Sequence, residues 1–450
     1  MISFKLSEAA AAVGGRAHPK NSDILINRLF TDSREACGGN GLFFAICGER
    51  VDGHDFVPGV VAEGNAAFVD NESAFTTNTV LVDDVKQAIY RLADWYRKTK
   101  CPEVKAVCIT GSVGKTTTKD MTGLIFSSCS KAYVTGGNKN SLIGLPLSVM
   151  AIDADDEYAV LELGMSERGE IEKLSRLARP HLSMITMIGS SHLQALGSID
   201  NIKNEKFDIL KGEHPQGKII LNADNELERL EGQKLGSRAI FCSSERPDAD
   251  YFAECICETV SGISFNVVYG GVRRHIELNV AGRHNVNNAL LAFAAGICCG
   301  FDAEKCAEAL SRYVPAGNRQ HKYEKNGITD IADCYNASPE SMAASLAVLT
   351  SAEGRKIAVL GDMMELGADS ARLHREVAVK AVKAADIVMF VGDMSEVYSD
   401  AVGGQALTFG AEEKKSAAKK LTELLQTGDT VLFKASNRLH LEDIIKEAGL

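Results

Sequence analysis

No apolar run in this chain approaches the ~20 residues that a membrane-crossing helix requires, so no membrane-spanning helix is expected. The opening MISFKLSEAAAAVGG has an early lysine but no leucine-rich stretch, and Glu8 interrupts it, so no secretory signal is read and a cytoplasmic protein is expected. Among the 12 cysteines there is no Cys-x-x-Cys; only Cys255-x-Cys257 and Cys298-Cys299 lie close together. Buried reduced thiols are expected, not disulfides or a zinc site. Positive charge is in deficit, 49 Lys and Arg against 60 Asp and Glu, for a net charge of −11. Such a chain repels nucleic acid and anionic membranes at long range. Nucleotides stay open to it, because amides, a lysine and a metal bind their phosphates locally. Internal repeats, low-complexity tracts and a Gly-x-Gly-x-x-Gly fingerprint are also missing.

What remains is an ordinary globular composition, 45% hydrophobic and 24% charged, over 450 residues. That length is too great for one core and predicts about three domains. The first ~100 residues hold short apolar segments at Gly41–Cys47 and Ala66–Asp70 with a helix over Val85–Lys98, a small α/β unit. Cys101-Pro102 reads as a linker. Beyond it, strands at Tyr158–Leu163, Leu182–Ile188 and Lys218–Asn222 alternate with helical patterns, which predicts a mostly parallel sheet covered by helices. Ala239–Val280 reads as a β-rich insertion, and Val286–Cys299 as a buried helix. Pro315-Ala-Gly317 marks a second linker. A Rossmann-like alternation follows, with strands at Ile328–Asp333, Lys356–Leu360, Ile387–Val391 and Thr430–Phe433 and helices from Ser338 and Ser370. The expected units are 1–100, 101–314 and 315–450, all α/β.

Between Lys105 and Asp120 the chain reads KAVCITGSVGKTTTKD, an apolar strand running into Gly111-Ser112-Val113-Gly114-Lys115-Thr116-Thr117. Glycines without Cβ let backbone N–H groups approach an anion, and the dipole of a helix starting near Lys115 favours negative charge. Lys115 can reach terminal phosphates and the Thr116 hydroxyl can ligate magnesium. The spacing departs from the standard phosphate loop, with two residues instead of four between the glycine and Gly-Lys. A tight turn with a solvated lysine is the plain alternative.

Glu162 ends the apolar strand YAVLE, where a carboxylate is costly unless paired or on a metal. His192 follows another strand in Gly189-Ser-Ser-His192, on the sheet edge that carries the phosphate loop. Lys206 sits in the charged helix IDNIKNEKFDIL and, on its residues alone, reads as a solvated lysine.

Taken in order, these motifs resemble the Mur ligases, the ATP-dependent amino-acid ligases of peptidoglycan precursor synthesis, over essentially the whole chain. The resemblance implies that ITGSVGKTTTKDM is the ATP loop. It places Glu162, His192 and Thr116 among the magnesium ligands, with Lys206 as a carbamylated lysine joining them. It gives Lys115, Lys206 and His192 catalytic roles. Thr31-Asp-Ser33-Arg34, Gly48 and Asp52-Gly-His54 resemble the segments that hold the UDP-sugar end of the substrate. Asn138 and Asn140 in Gly137-Asn138-Lys-Asn140 form the family's next landmark, also implied to bind substrate. Asn285 and Asn288 resemble the adenine and ribose segment, and Arg319 the arginine that approaches the ATP phosphates from the third domain.

Asp333-Cys-Tyr335-Asn336-Ala-Ser338 and Gly361-Asp362-Met-Met-Glu365-Leu-Gly367 with His374 resemble the branch that adds D-alanyl-D-alanine to UDP-N-acetylmuramoyl-tripeptide. The sister branch that adds the third residue carries Asp-Asn-Pro-Arg, which is missing here. Ser338 stands where asparagine is common, and Lys434-Ala-Ser-Asn-Arg438 departs from Lys-Gly-Ser-Arg. The implied chemistry passes through an acyl phosphate, with hinge closure of the third domain carrying Arg319 inward. A monomer is expected. The rival readings are the third-residue ligase, a folylpolyglutamate synthetase-like ligase, and a non-catalytic nucleotide-binding paralogue.

Overall fold

The computed structural model describes residues 2–21, 23–258, 262–315, 317 and 320–450. Among them are three main sheets, all of mixed order with mostly parallel pairing, in an α/β architecture. No helix among the described residues is long and apolar enough to cross a membrane. All 12 cysteines are free, but burial is not general: Cys37, Cys47, Cys255, Cys257 and Cys298 are exposed.

The first sheet runs Arg16–Ala17, Thr79–Leu81, Ala66–Val69, Gly41–Phe44, Arg28–Phe30. Gly41–Phe44 and Ala66–Val69 are buried at every residue, as parallel strands covered on both faces must be. The helix Val85–Thr99 starts where Asp84 accepts from Gln87 N at 2.8 Å, an N-cap that satisfies one of the first-turn amides. Its apolar side packs away from the first unit as well as into it. One hydrophobic core holds Phe4, Leu42 and Phe68 together with Ala106, Leu161 and Leu221 of the central sheet. Tyr96 donates to Ile152 O at 2.9 Å, and buried Arg97 donates to Val104 O at 2.6 Å and to Cys101 O. The Cys101 segment is thus welded to both neighbours.

The central sheet has nine strands, ordered Val272–Leu278, Ile263–Tyr269, Tyr251–Glu258, Ala239–Ser243, Lys218–Asn222, Pro180–Ile185, Lys105–Thr110, Tyr158–Glu162, Ala132–Val134. The region read as a β-rich insertion is not separate. Ala239–Ser243 pairs in parallel with Lys218–Asn222, and only the outermost strands are antiparallel. An alternating strand such as Ile263–Tyr269 suits that position, since an antiparallel edge can leave one face wet. The strand read to Ile188 ends at Ile185, and Thr186–Ile188 are loop.

The third sheet runs His321–Lys325, Ile328–Asp333, Thr430–Lys434, Lys356–Gly361, Ile387–Val391, Leu407–Phe409, parallel except for its first strand. Among the described residues its core clusters take only Ala281 from the central unit. The first two units share a core, whereas the third keeps its own.

Candidate active site

The phosphate-loop strand Lys105–Thr110 lies between Tyr158–Glu162 and Pro180–Ile185, all parallel, so the loops beyond their C-terminal ends converge. A Cβ on Gly111 would overlap the Thr186 hydroxyl. Gly114 caps the helix Lys115–Cys129 at φ +87°, and a Cβ there would sit 2.6 Å from Asn288 Oδ1. Both glycines are therefore demanded by close approach as well as by backbone conformation. The Lys115 ammonium donates to Gly111 O at 2.6 Å, curled over the loop that it would share with a phosphate.

Glu162 pairs in register with Ile109, which sets it one strand from the loop. It is 1% exposed. Its Oε1 accepts from Asn140 Nδ2 at 2.8 Å and from the Thr116 hydroxyl at 3.2 Å, while Oε2 is buried without a partner among the described residues. An orphaned carboxylate oxygen is expensive unless a cation takes it. No three His, Cys, Asp or Glu side chains among the described residues form a ready-made metal cluster. A hard cation that keeps waters and phosphate oxygens needs only one or two carboxylates, so Thr116 and Glu162 fit magnesium.

His192 lines the same cleft at φ +65°, a left-handed conformation rarely held by a side chain larger than glycine. Its Nδ1 lies 2.5 Å from Glu365 Oε2 of the third unit, an ion-pair distance at an angle off the hydrogen-bond line. Lys206 overturns the reading of a solvated side chain: it is 1% exposed and faces inward from the helix Ile199–Phe207. Helical period alone does not reveal this, because the helix is charged on several sides and tertiary packing chooses which charge to bury. Desolvation first, and nearby Lys115 second, push the Lys206 amine well below the usual lysine range. Fully buried Glu228 nearby is pushed well above the usual carboxylate range, again by desolvation first. Lys206 is not among the residues that line the cleft, whereas Lys115, which acts on it, is.

The opposite wall belongs to the third unit. Asp333 and Lys434 are register partners on adjacent parallel strands, and their side chains meet at 2.6 Å. Ser345 also donates to Asp333 at 2.6 Å, and Lys434 donates to Asn336 O at 3.1 Å. Ser338 caps the helix Pro339–Thr350 through a reciprocal box with Ser341. These residues and Tyr335 line a cleft of about 360 Å³ together with Ser112–Thr117, Asn140, Glu162, His192, Asn285 and Asn288. Asn288 accepts from Thr118 at 3.2 Å and donates to Asn285 at 3.1 Å, tying the helix His284–Cys298 to the phosphate helix. Burial pushes His284 down to about 4.

Other candidates stay apart. Asn138 is exposed and outside the cleft, and Arg319 lies outside the described residues. Ser33, Arg34, Gly48, Asp52 and His54 do not line the cleft. Asp32 accepts from Arg34 N at 2.9 Å, and the exposed Arg34 guanidinium holds the Asp32 carboxyl down at about 2. His54 is buried between Asp52, 2.6 Å from Nδ1, and Asp70, whose N–H donates to Nε2 at 3.2 Å. Sequence reasoning quoted Lys434 and Glu365 within motifs but gave them no site role, and it missed Ser345, Glu340 and Glu228. Lys434 has a usable signal, a charge ending the apolar strand TVLFK, the same mark that singles out Glu162. Glu365 has only its place in the Gly361–Gly367 motif, and Ser345, Glu340 and Glu228 carry no signal, because their partners come from distant segments.

Comparison with known proteins adds to this geometry. Family models match as the Mur ligase family, catalytic domain (25–99), the Mur ligase middle domain (109–296) and the Mur ligase, glutamate ligase domain (318–437). The UDP-N-acetylmuramoyl-tripeptide–D-alanyl-D-alanine ligase of Bacillus subtilis is 35% identical over 99% of this chain and 98% of its own. The crystal structure of MurF from Acinetobacter baumannii superposes with a TM-score of 0.92 at 29% identity, covering 99% of this chain and 98% of that one. MurF ligase from Thermotoga maritima, solved in complex with ADP, superposes with a TM-score of 0.84 at 25% identity, covering 94% and 97%.

Proposed function

The chain belongs to the Mur ligase family, and from that premise we propose that it joins D-alanyl-D-alanine to UDP-N-acetylmuramoyl-tripeptide at the expense of ATP. The observation that carries the reading is a single cleft lined at once by a phosphate loop and by the Asp333–Ser338 segment of the third unit. A site that only stored nucleotide would have no use for a second wall of polar side chains.

In the proposed reaction the tripeptide carboxylate attacks the γ-phosphorus, the bond to the bridging oxygen breaks, and ADP leaves with that electron pair. The amine of the dipeptide then attacks the acyl carbon; the amide forms, phosphate departs and a proton is released. Loop amides from Gly111 to Thr117 and the Lys115 ammonium bind the phosphates, Lys115 exchanging the Gly111 carbonyl for phosphate oxygen. Asn285 and Asn288 sit where nucleoside contacts are proposed. Thr116, Glu162, His192 and Lys206 would hold magnesium, which when bound neutralises charge on the transferring phosphoryl group. For Lys206 this requires a carbamate, formed when its neutral amine adds carbon dioxide and releases a proton; the lowered amine pKa supports that. Asp333, Tyr335, Asn336 and Ser338 receive the dipeptide in this reading, and the Ser33–Arg34 and Gly48–His54 segments hold the UDP end. The working units are 1–100, 101–314 and 315–450, in a monomer.

The test is ADP release from the full chain against a panel of UDP-muramoyl-peptides and amines. Turnover requiring a tripeptide and D-alanyl-D-alanine is expected; turnover with a single amino acid in its place would overturn the assignment. Lys206→Ala is expected to bind ADP yet lose ligation, and undiminished ligation would remove the carbamate from the mechanism.

A further inference from the structure

The loop that carries His192 is held from two sides by different domains. From the central unit, Asn225 donates to Ile188 O at 2.8 Å and Gly189 N donates to Ser112 Oγ at 2.9 Å. Ser112 Oγ in turn donates to Gly189 O at 3.0 Å, and Ser191 Oγ to Ser112 O at 3.4 Å. From the third unit, Glu340 accepts from Ser190 N at 2.8 Å and Ser190 Oγ at 3.1 Å. Glu365 O accepts from Gln194 N at 2.9 Å, and the Glu365 carboxylate meets His192 Nδ1 at 2.5 Å. Residues 189 and 191 are therefore tied to the phosphate loop, and residues 190, 192 and 194 to the third domain.

The segment that presents Glu365 is braced along its length. Asp362 accepts from Asp393 N at 2.9 Å and Met394 N at 3.0 Å. Met363 N donates to His374 Nε2 at 3.1 Å, Met364 N to Ser436 Oγ at 3.0 Å, and Tyr398 OH to Gly361 O at 3.0 Å. Glu365 stands at φ +62°, and Gly367 at φ +60° would put a Cβ 3.2 Å from Gln194 Cα. A non-glycine residue is kept in a left-handed conformation here only because its surroundings demand it. That conformation aims the carboxylate across the domain boundary.

We propose that Glu365 is a positioning residue for the ligase reaction, which orients the His192 imidazole only while the third domain is seated. This rests on the functional reading above. The two neutral tautomers of imidazole differ little in energy, and an acceptor at one nitrogen selects between them. A carboxylate at Nδ1 accepts the N–H there and so favours the tautomer whose Nε2 keeps its lone pair. A small rotation of the ring, soft about its second side-chain torsion, brings the N–H into line. Domain seating is thereby coupled to the state of one ring at the phosphate site.

The experiment compares wild type, Glu365→Ala and Glu365→Gln in the full chain. The Glu365 side chain is 56% exposed, so truncation leaves the fold intact, and glutamine retains an acceptor oxygen. Nitrogen NMR of ring-labelled histidine on the protein alone, with His192 assigned by its loss in His192→Gln, should show a protonated Nδ1 in wild type and in Glu365→Gln. In Glu365→Ala the tautomers should mix. In turnover, Glu365→Ala should lower kcat about 10–100-fold, with KM for ATP and the UDP-peptide within about twofold, and Glu365→Gln should recover most of the loss. In a His192→Gln background Glu365→Ala should cost nothing further. An unchanged tautomer, an unchanged kcat, or an equal loss in the His192→Gln background would each overturn the proposal. If the wild-type chain fails to ligate the dipeptide, the functional reading falls, and the NMR comparison still decides the Glu365–His192 relationship.

Discussion

Asn140 donates its amide to Glu162 Oε1 at 2.8 Å, while Oε2 of the same carboxylate is buried with no partner among the described residues. One oxygen is anchored and the other held ready. This arrangement costs stability in the empty protein, and the proposed magnesium would relieve that cost. Glu162→Gln should therefore raise stability and abolish function together. The expected gain is about 1 kcal/mol, or about 2–4 °C in the midpoint of the central unit. The expected loss is about 100-fold or more in kcat, with a parallel loss of Mn²⁺ binding by electron paramagnetic resonance. A variant that turns over normally would remove Glu162 from the metal site.

Lys434 and Asp333 form a buried pair. Removing one partner strands the other charge in the third domain. Lys434→Met should destabilise that domain by about 3–5 kcal/mol in urea unfolding. Adding Asp333→Asn should recover most of it, since the new amide can still serve Ser345. A double variant as unstable as Lys434→Met would mean that the ammonium matters for its other contacts.

His181 predicts a pH dependence unrelated to catalysis. Burial first, then His214 stacked 5.0 Å away, push it down to about 4, and its Nδ1 accepts from Ala106 N at 3.3 Å. The folded form is neutral and the unfolded form takes a proton near pH 6.5, so stability is intact at neutral pH. It is lost as pH falls from about 6.5 to about 4. Because the ring is only half-buried, the loss should be about 1–2 kcal/mol. His181→Asn, which accepts without titrating, should flatten the unfolding midpoint over that window and leave kcat at pH 7.5 unchanged.

Arg97, 2% exposed, donates to Cys101 O, Val104 O and Ala178 O. Arg97→Met leaves those carbonyls without donors and should cost about 2–4 kcal/mol. Limited proteolysis of wild type should spare 99–104, and the variant should be cut there. Equal resistance in both would show that the shared core, not the guanidinium, secures the joint.

Much of the architecture is legible in the order of residues. Strand and helix positions in the third unit follow from apolar runs bounded by turn residues, and the phosphate loop from glycines, a lysine and hydroxyls adjacent in the chain. The joint at Cys101 reads as a hinge-like linker because a cysteine–proline step after a helix looks like one. The core that crosses it is made of side chains from Phe4 to Leu221, a separation at which no local pattern operates. Lys206 misleads for a related reason: a lysine among charges looks solvated until the packed helices around it are known.

By itself the sequence determined the local chemistry: which loop can take a phosphate, which strand ends carry charge, and, through family resemblance, which reaction to expect. Those properties depend on residues within a turn of one another. Tertiary structure alone decided that Glu162 keeps an oxygen without a partner among the described residues, that Lys206 and Glu228 lie buried, and that Glu365 reaches His192 across a domain boundary. Each is a matter of solvent exclusion or of contact between distant segments. The free energy of a charge is set by what surrounds it in space, and those surroundings exist only in the folded chain.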